Sequence, residues 1–240
     1  MSQEELAKRQ EAKAFYEQNI VPQFNERMES NRTAFEQFIR VNISKERAEL
    51  IIKALSTKTF YIDPAGVAYH SAFPGGLCEH TLKVATKAIA MRNAAQQDFD
   101  NGLLEQGLQV PTVEETAVAA VLHDTCKIGT YALDTKFKKV GRDWAKYPCY
   151  VKDDKLPLGH GEKSIIWCLI KGIQLNKNEL LGIRWHMGRY EAGSETSMEL
   201  KSFYEATKIS MLPQILHEAD NYSAKFMETC IDLGDYAVKC

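Results

Sequence analysis

His123 and Asp124 stand side by side at the end of the run Ala119-Ala120-Val121-Leu122, and this pair is the first chemistry the chain offers. A neutral imidazole and a carboxylate are both ordinary ligands for a divalent cation. Buried beside Val121 and Leu122 without a positive partner, Asp124 would be costly, so the run asks for a cation. Four further polar residues lie within or at the end of apolar helical stretches: His80, His160, His186 and Asp220. Each alone is equally well a helix cap or a core hydrogen bond. Together they point elsewhere, because packed helices bring such ends around one cavity. Three or four of them would hold one ion, and all six, with Asp124 shared, suit two ions ~3.5–4 Å apart. Nitrogen and carboxylate donors without thiolate favour manganese, iron, magnesium, cobalt or nickel over structural zinc. Lys127 lies one helical turn beyond His123, within reach of the same pocket.

The elements that must position these residues are mostly helical. Residues 3 to about 57 read as two or three amphipathic helices, with Pro22 ending or bending the first. Ser30 or Asn31 is a candidate cap for the second and Ser44 for the third. Pro64, Gly66, Pro74 and the Gly75-Gly76 pair mark an ordered loop leading into a helix from about Leu77, with His80 in its first turn. Residues 98–110 read as a surface loop. Thr112 and Glu115 match a capping box ahead of the apolar helix that ends at His123. Residues 136–152, turning at Gly141-Arg142-Asp143, read as a β-hairpin. Its Lys136, Lys138, Lys139, Arg142 and Lys146 stand among Trp144, Tyr147 and Tyr150, a mixture that stacks bases or simply packs on helices. His160 opens the next helix, with Lys163 one turn on. Asn176 and Glu179 cap another that ends near Arg184-Trp185-His186-Met187-Gly188. Residues 188–197 form a polar loop, and a last helical pattern runs through Leu212, Ile215, Leu216, Ala219 and Phe226. The expected fold is all-α with a small β-hairpin insertion. Its divisions are a helical extension over 1–57, a main domain over 58–230 and a tail over 231–240.

Whole-chain properties exclude several roles. A formal net charge of -2 gives no basic footprint for duplex DNA, though a local phosphate pocket remains open. No apolar run approaches the ~18 residues of a membrane span. The acidic start Met1-Ser2-Gln3-Glu4-Glu5 is unlike a secretory signal. Cysteines at 78, 126, 149, 168, 230 and 240, with no Cys-x-x-Cys, suit reduced thiols and a cytoplasmic setting.

The order His80, His123-Asp124, Asp220 resembles the HD-domain superfamily of metal-dependent phosphohydrolases, over roughly residues 58–228. Ala72-Phe73-Pro74-Gly75-Gly76-Leu77-Cys78-Glu79-His80-Thr81 is similar to the loop and helix start of HD domains attached to OB-folds in bacterial 3′–5′ exoribonucleases. Gly188-Arg189-Tyr190-Glu191-Ala192-Gly193-Ser194 is similar to another of their segments. Stand-alone bacterial and phage HD hydrolases share His-Asp-x-Cys-Lys, a hairpin, Pro-x-Gly-His-Gly-Glu-Lys-Ser and Trp-His-Met-Gly, here at 123–127, 136–152, 157–164 and 185–188. The resemblance implies an HD-type helical bundle with His80, His123, Asp124 and Asp220 on a first metal. It implies His160 and His186 on a second, with Asp124 between. Met187 departs from the pattern, standing where many two-metal relatives carry a histidine. The exoribonucleases' OB-fold is also missing.

The implied activity is hydrolysis of a phosphate ester, with a nucleotide or small phosphodiester as substrate. Asp124 and Lys127 are the expected catalytic pair, and Lys163, Arg184, Arg189 and His70 are candidates for substrate contact. Two alternatives stand beside it: exonuclease-like action on short RNA, and a silent module that binds metal and nucleotide.

Overall fold

Every side chain from Ala117 to Leu122 is apolar, so no face of this segment suits water, and the chain buries all of them. The computed structural model describes residues 3–57, 59–105, 107–190 and 198–239. In it the segment is α5 (Val113–Leu122), around which α2 (Asn25–Asn42), α4 (Gly76–Asp100) and α7 (Lys177–Trp185) pack. Helix α9 (Leu212–Tyr222) closes against α4 and α7. Both expected capping boxes are formed. Thr112 Oγ1 accepts from the Glu115 amide at 3.1 Å, and Glu115 accepts in return from Thr112 at 2.8 Å. Asn176 and Glu179 do the same at 3.0 and 2.8 Å. These caps fix where α5 and α7 begin, and therefore where His123 and His186 fall at their ends.

Residues 3–57 pack against the rest of the chain. After α1 (Gln3–Asn19), Pro22 sits in a 3-10 turn that swings the chain into α2, followed by α3 (Lys45–Ser56). Phe35, Ile39, Ile51 and Leu55 share one apolar cluster with Leu77, Val84 and Val118. Several ion pairs tie this region to the rest, two of them through paired hydrogen bonds. Arg27 grips Glu79 of α4 through two hydrogen bonds of 2.6 and 2.7 Å. Arg47 does the same to the fully buried Glu179 of α7, at 2.7 and 2.5 Å.

Strands β1 (Tyr131–Val140) and β2 (Asp143–Lys152) form an antiparallel hairpin with Val140 opposite Asp143 at its tip and Tyr131 opposite Lys152 at its base. Helix α1 lies on this sheet, where the buried Tyr16 and Tyr150 hydroxyls are hydrogen-bonded to each other. Residues 231–239 pack as well: Leu233 is buried beside Phe73 and Tyr150, and β3 (Val238–Lys239) adds a third strand along β2.

Several sequence expectations need correction. Helix α2 starts at Asn25, directly from the turn at Pro22, and Asn31 spends its amide on Glu79 at 2.8 Å instead of capping. Ser44 precedes α3, but its hydroxyl donates to Glu114 at 2.7 Å. Helix α4 runs on to Asp100, three residues into the expected loop, supported by the Gln96–Asp100 hydrogen bond of 3.0 Å one turn apart. His80 is its fifth residue, just past the first turn. The hairpin begins at Tyr131, five residues early. Helix α8 (Met198–Ile209) was not anticipated; its Leu200 and Phe203 cover Trp185. Phe226 lies beyond α9 in a π-helical turn and is mostly exposed. Of the polar loop expected over 188–197, Gly188–Tyr190 is a 3-10 turn, while 191–197 lie outside the described residues.

Candidate metal centre

Five separate segments deliver the polar residues to one place. His80 comes from α4, and His123 and Asp124 follow the last residue of α5. His160 is the first residue of α6 (His160–Ile170), His186 follows the end of α7, and Asp220 projects from α9. His80, His123, Asp124 and His186 are each at most 3% exposed. The two oxygens of Asp124 divide the site. Oδ2 lies 3.1 Å from His80 Nε2, 3.4 Å from His123 Nε2 and 2.7 Å from Lys127 Nζ. Oδ1 lies 2.9 Å from His160 Nε2 and 3.7 Å from His186 Nε2. Asp220 Oδ1 is 3.4 Å from His80 Nε2.

The outer nitrogens are already committed. His123 Nδ1 donates to the Ala120 carbonyl and His186 Nδ1 to the Ile183 carbonyl, both at 2.7 Å. A proton on Nδ1 leaves a lone pair on Nε2, which is the tautomer a metal needs. His80 Nδ1 meets Glu228 Oε1 at 2.6 Å, and Ser71 donates to the other oxygen of Glu228, also at 2.6 Å. Among the described residues, His80 Nε2, His123 Nε2 and His186 Nε2 are buried without a hydrogen bond of good geometry, and Asp124 Oδ2 among them has the Lys127 ammonium at 2.7 Å. Leaving three imidazole nitrogens unsatisfied around one carboxylate is expensive, and a divalent cation satisfies them together. One donor atom each from His80, His123 and Asp124 lies within 4.8 Å of the others, and the same holds for His123, His186 and Asp220. The residues present therefore fit a metal.

Electrostatics agree with that fit. Burial opposes charge on Asp124, but Lys127 and His123 outweigh it and hold the carboxyl well below the usual range. Burial likewise opposes charge on Asp220, and His80 and His123 outweigh it to lower that group. For His80 burial disfavours the imidazolium, yet hydrogen bonding to Asp124 and Glu228 raises it to about 10. His186 goes the other way, pushed down to about 3 by burial and by the charge of His123. A pocket that keeps its carboxylates ionised and draws positive charge is one built to receive a cation.

A cavity of about 470 Å³ opens beside these groups, lined in part by Lys127, Tyr131, Lys152, His160, Lys163 and Asp220. His70 also lines it, its ring 6.0 Å from that of His80, and so does Met187. Lys127 arrives by a different route from the one its spacing suggested: α5 stops at Leu122, and a 3-10 turn over Thr125–Lys127 carries the ammonium to Asp124. Lys163 reaches the cavity while paired to Asp154. Arg184 is 3.0 Å from Glu162 and stacks over Trp185, and neither it nor Arg189 is among the described residues lining this cavity.

Sequence reasoning did not find Glu228, Ser164, Tyr131 or Lys152. Ser164 has a signal in hindsight, one turn after His160 on α6. Its buried hydroxyl donates to the His123 carbonyl at 2.6 Å and accepts from the Cys126 amide at 3.1 Å. Gly161 is equally placed: a Cβ there would meet the Arg184 and Ile183 carbonyls at 2.3 and 2.6 Å. Its absence lets α6 close on the end of α7, so that the His160 and His186 rings lie 5.5 Å apart.

No family model, curated protein or solved structure matches the chain. The fold and site define a mostly helical protein with a small antiparallel sheet and a buried His/Asp/Cys cluster able to hold a metal ion. No described helix is long and apolar enough to cross a membrane.

Proposed function

We propose that the chain is an HD-type metal-dependent phosphohydrolase that hydrolyses a phosphate ester, a nucleotide or a small phosphodiester. The observation that carries this is the convergence of the buried Nε2 atoms of His80, His123 and His186, none with a hydrogen bond of good geometry, on the Asp124 carboxylate beside a cavity flanked by lysines. A divalent ion held there supplies Lewis acidity and a water of lowered pKa. The chain's own residues supply the rest. His80, His123, Asp124 and Asp220 hold the ion, with His186 and His160 on the other side of Asp124. Lys127, kept protonated by Asp124 against the penalty of burial, offers its ammonium to the phosphoryl oxygens. Lys152 and Lys163 line the same cavity and favour an anionic substrate. A volume of about 470 Å³ falls within the range of small-ligand pockets and suits a mononucleotide better than a folded polymer.

The test is metal content together with turnover against mononucleotides, cyclic dinucleotides and short RNA, products being read by mass spectrometry. Asp124→Ala is expected to lose both metal and turnover. Metal and turnover unchanged in that variant would overturn the reading.

A further inference from the structure

A thiol stands where the sequence pattern offered only nitrogen and oxygen. Cys126 follows Asp124 by two residues and lines the cavity, and one donor atom each from Asp124, Cys126 and His160 lies within 4.8 Å of the others. Donors around one tetrahedral ion at ~2.0–2.3 Å are separated by roughly 3.3–3.8 Å, so small side-chain adjustments around the 2.9 Å His160–Asp124 contact bring the three onto one ion. The backbone of Cys126 is held at both ends: its amide donates to Ser164 Oγ at 3.1 Å, and its carbonyl accepts from Thr130 Oγ1 at 2.7 Å. Ser164 belongs to α6, the helix that carries His160, and also binds the His123 carbonyl. One buried hydroxyl thus fixes the thiol relative to the other two donors. A second, independent observation points into the same place. His186 is fully buried, and its partnerless Nε2 faces Asp124 Oδ1 at 3.7 Å, on the His160 side of the carboxylate.

We propose that Asp124, Cys126 and His160 form a second cation site, open to the cavity, whose sulfur ligand selects a thiophilic divalent ion such as zinc. The inference rests on the metal-centre reading above and deepens it by making the two sides of Asp124 chemically unequal. Toward His80 and His123 the donors are imidazole and carboxylate; toward His160 they include sulfur, which softer ions prefer. On binding, the thiol proton leaves to solvent, a sulfur–metal bond forms, and no electron is transferred. Asp124, Cys126 and His160 supply three protein donors, and His186 Nε2 stands behind them on the same side of the carboxylate.

Cobalt(II) is the probe. Wild-type protein titrated with cobalt is expected to show visible d–d bands plus a near-ultraviolet thiolate-to-cobalt band. Cys126→Ser is expected to lose the near-ultraviolet band and to bind one cobalt fewer, whereas Cys149→Ser, on the hairpin, keeps both. Cadmium NMR of the wild-type protein reads the same sulfur ligand from its chemical shift, so the inference is decided even if the variants do not fold. Cobalt bound without a thiolate band, and cadmium without a sulfur-type shift, would overturn the Cys126 site and leave the His80–His123–Asp124 centre standing. No cobalt bound at all would overturn both.

Discussion

Asp124 Oδ2 meets Lys127 at 2.7 Å and His80 at 3.1 Å, while Oδ1 meets His160 at 2.9 Å. On the proposed function, Lys127 is both a partner of the carboxylate that would hold metal and a wall of the cavity that would receive substrate. Its two roles separate on substitution. In Lys127→Met, metal affinity is expected to hold or rise, because a competing ammonium is gone, while turnover falls ~10²-fold or more through lost stabilisation of the phosphoryl oxygens. Isothermal titration and steady-state rates measure the two; unchanged turnover would remove Lys127 from the mechanism. At this scale the sequence was legible where a polar residue interrupts an apolar run, as at His123, Asp124 and Asp220. Glu228 and Lys152 sit among other polar residues and acquire meaning only from what the fold sets beside them, His80 in one case and the cavity in the other. No local pattern marks them.

Helix ends place the site, so contacts between helices should tune it. At Gly161 a methyl group would strike backbone carbonyls of α7, which cannot move aside as a flexible side chain does. Gly161→Ala is expected to cost about 1–3 kcal/mol of stability and to weaken metal binding by parting His160 from His186. Full metal affinity in a destabilised variant would show that the α6–α7 spacing is structural alone. Helix α2 makes a separate prediction. Burial opposes the Glu79 carboxylate, but hydrogen bonds from Arg27, Lys83 and Asn31 outweigh it and hold the group down at about 2. A carboxyl depressed by folding stabilises fully above its unfolded value near 4.5 and loses that contribution as pH falls toward 2. Glu79→Gln should cost ~2 kcal/mol at neutral pH and flatten the stability profile between those limits. An unaltered acid slope in denaturant titrations would contradict it. The capping boxes at Thr112 and Asn176 were readable because their chemistry is local. The length of α4 and the existence of α8 were not, because ordinary polar surfaces give no boundary.

For the molecule as a whole, the buried polar cluster is a stability cost that a bound cation would offset. Helices α4, α5, α7 and α9 pack their apolar faces into one cluster, yet their converging ends bury three imidazole nitrogens without good hydrogen bonds, and a carboxylate, in the same interior. Anything that binds the folded chain and not the unfolded one raises stability by mass action, about 2.7 kcal/mol at a hundredfold excess over Kd. For a chain of this size that corresponds to a Tm rise of roughly 5–10 °C. Saturating manganese is expected to produce such a shift in the wild type and chelation to reverse it. Asp124→Asn should abolish the shift, since an amide keeps the shape but not the charge. The cation-free variant should itself melt below the cation-free wild type, because the substitution leaves the buried Lys127 ammonium without its carboxylate. Differential scanning calorimetry separates these outcomes. A metal-induced shift of equal size in Asp124→Asn would mean that the ion sits elsewhere. No metal-induced shift in the wild type would mean that the Asp124–Lys127 pair, and not a cation, is what the buried helix ends were assembled around.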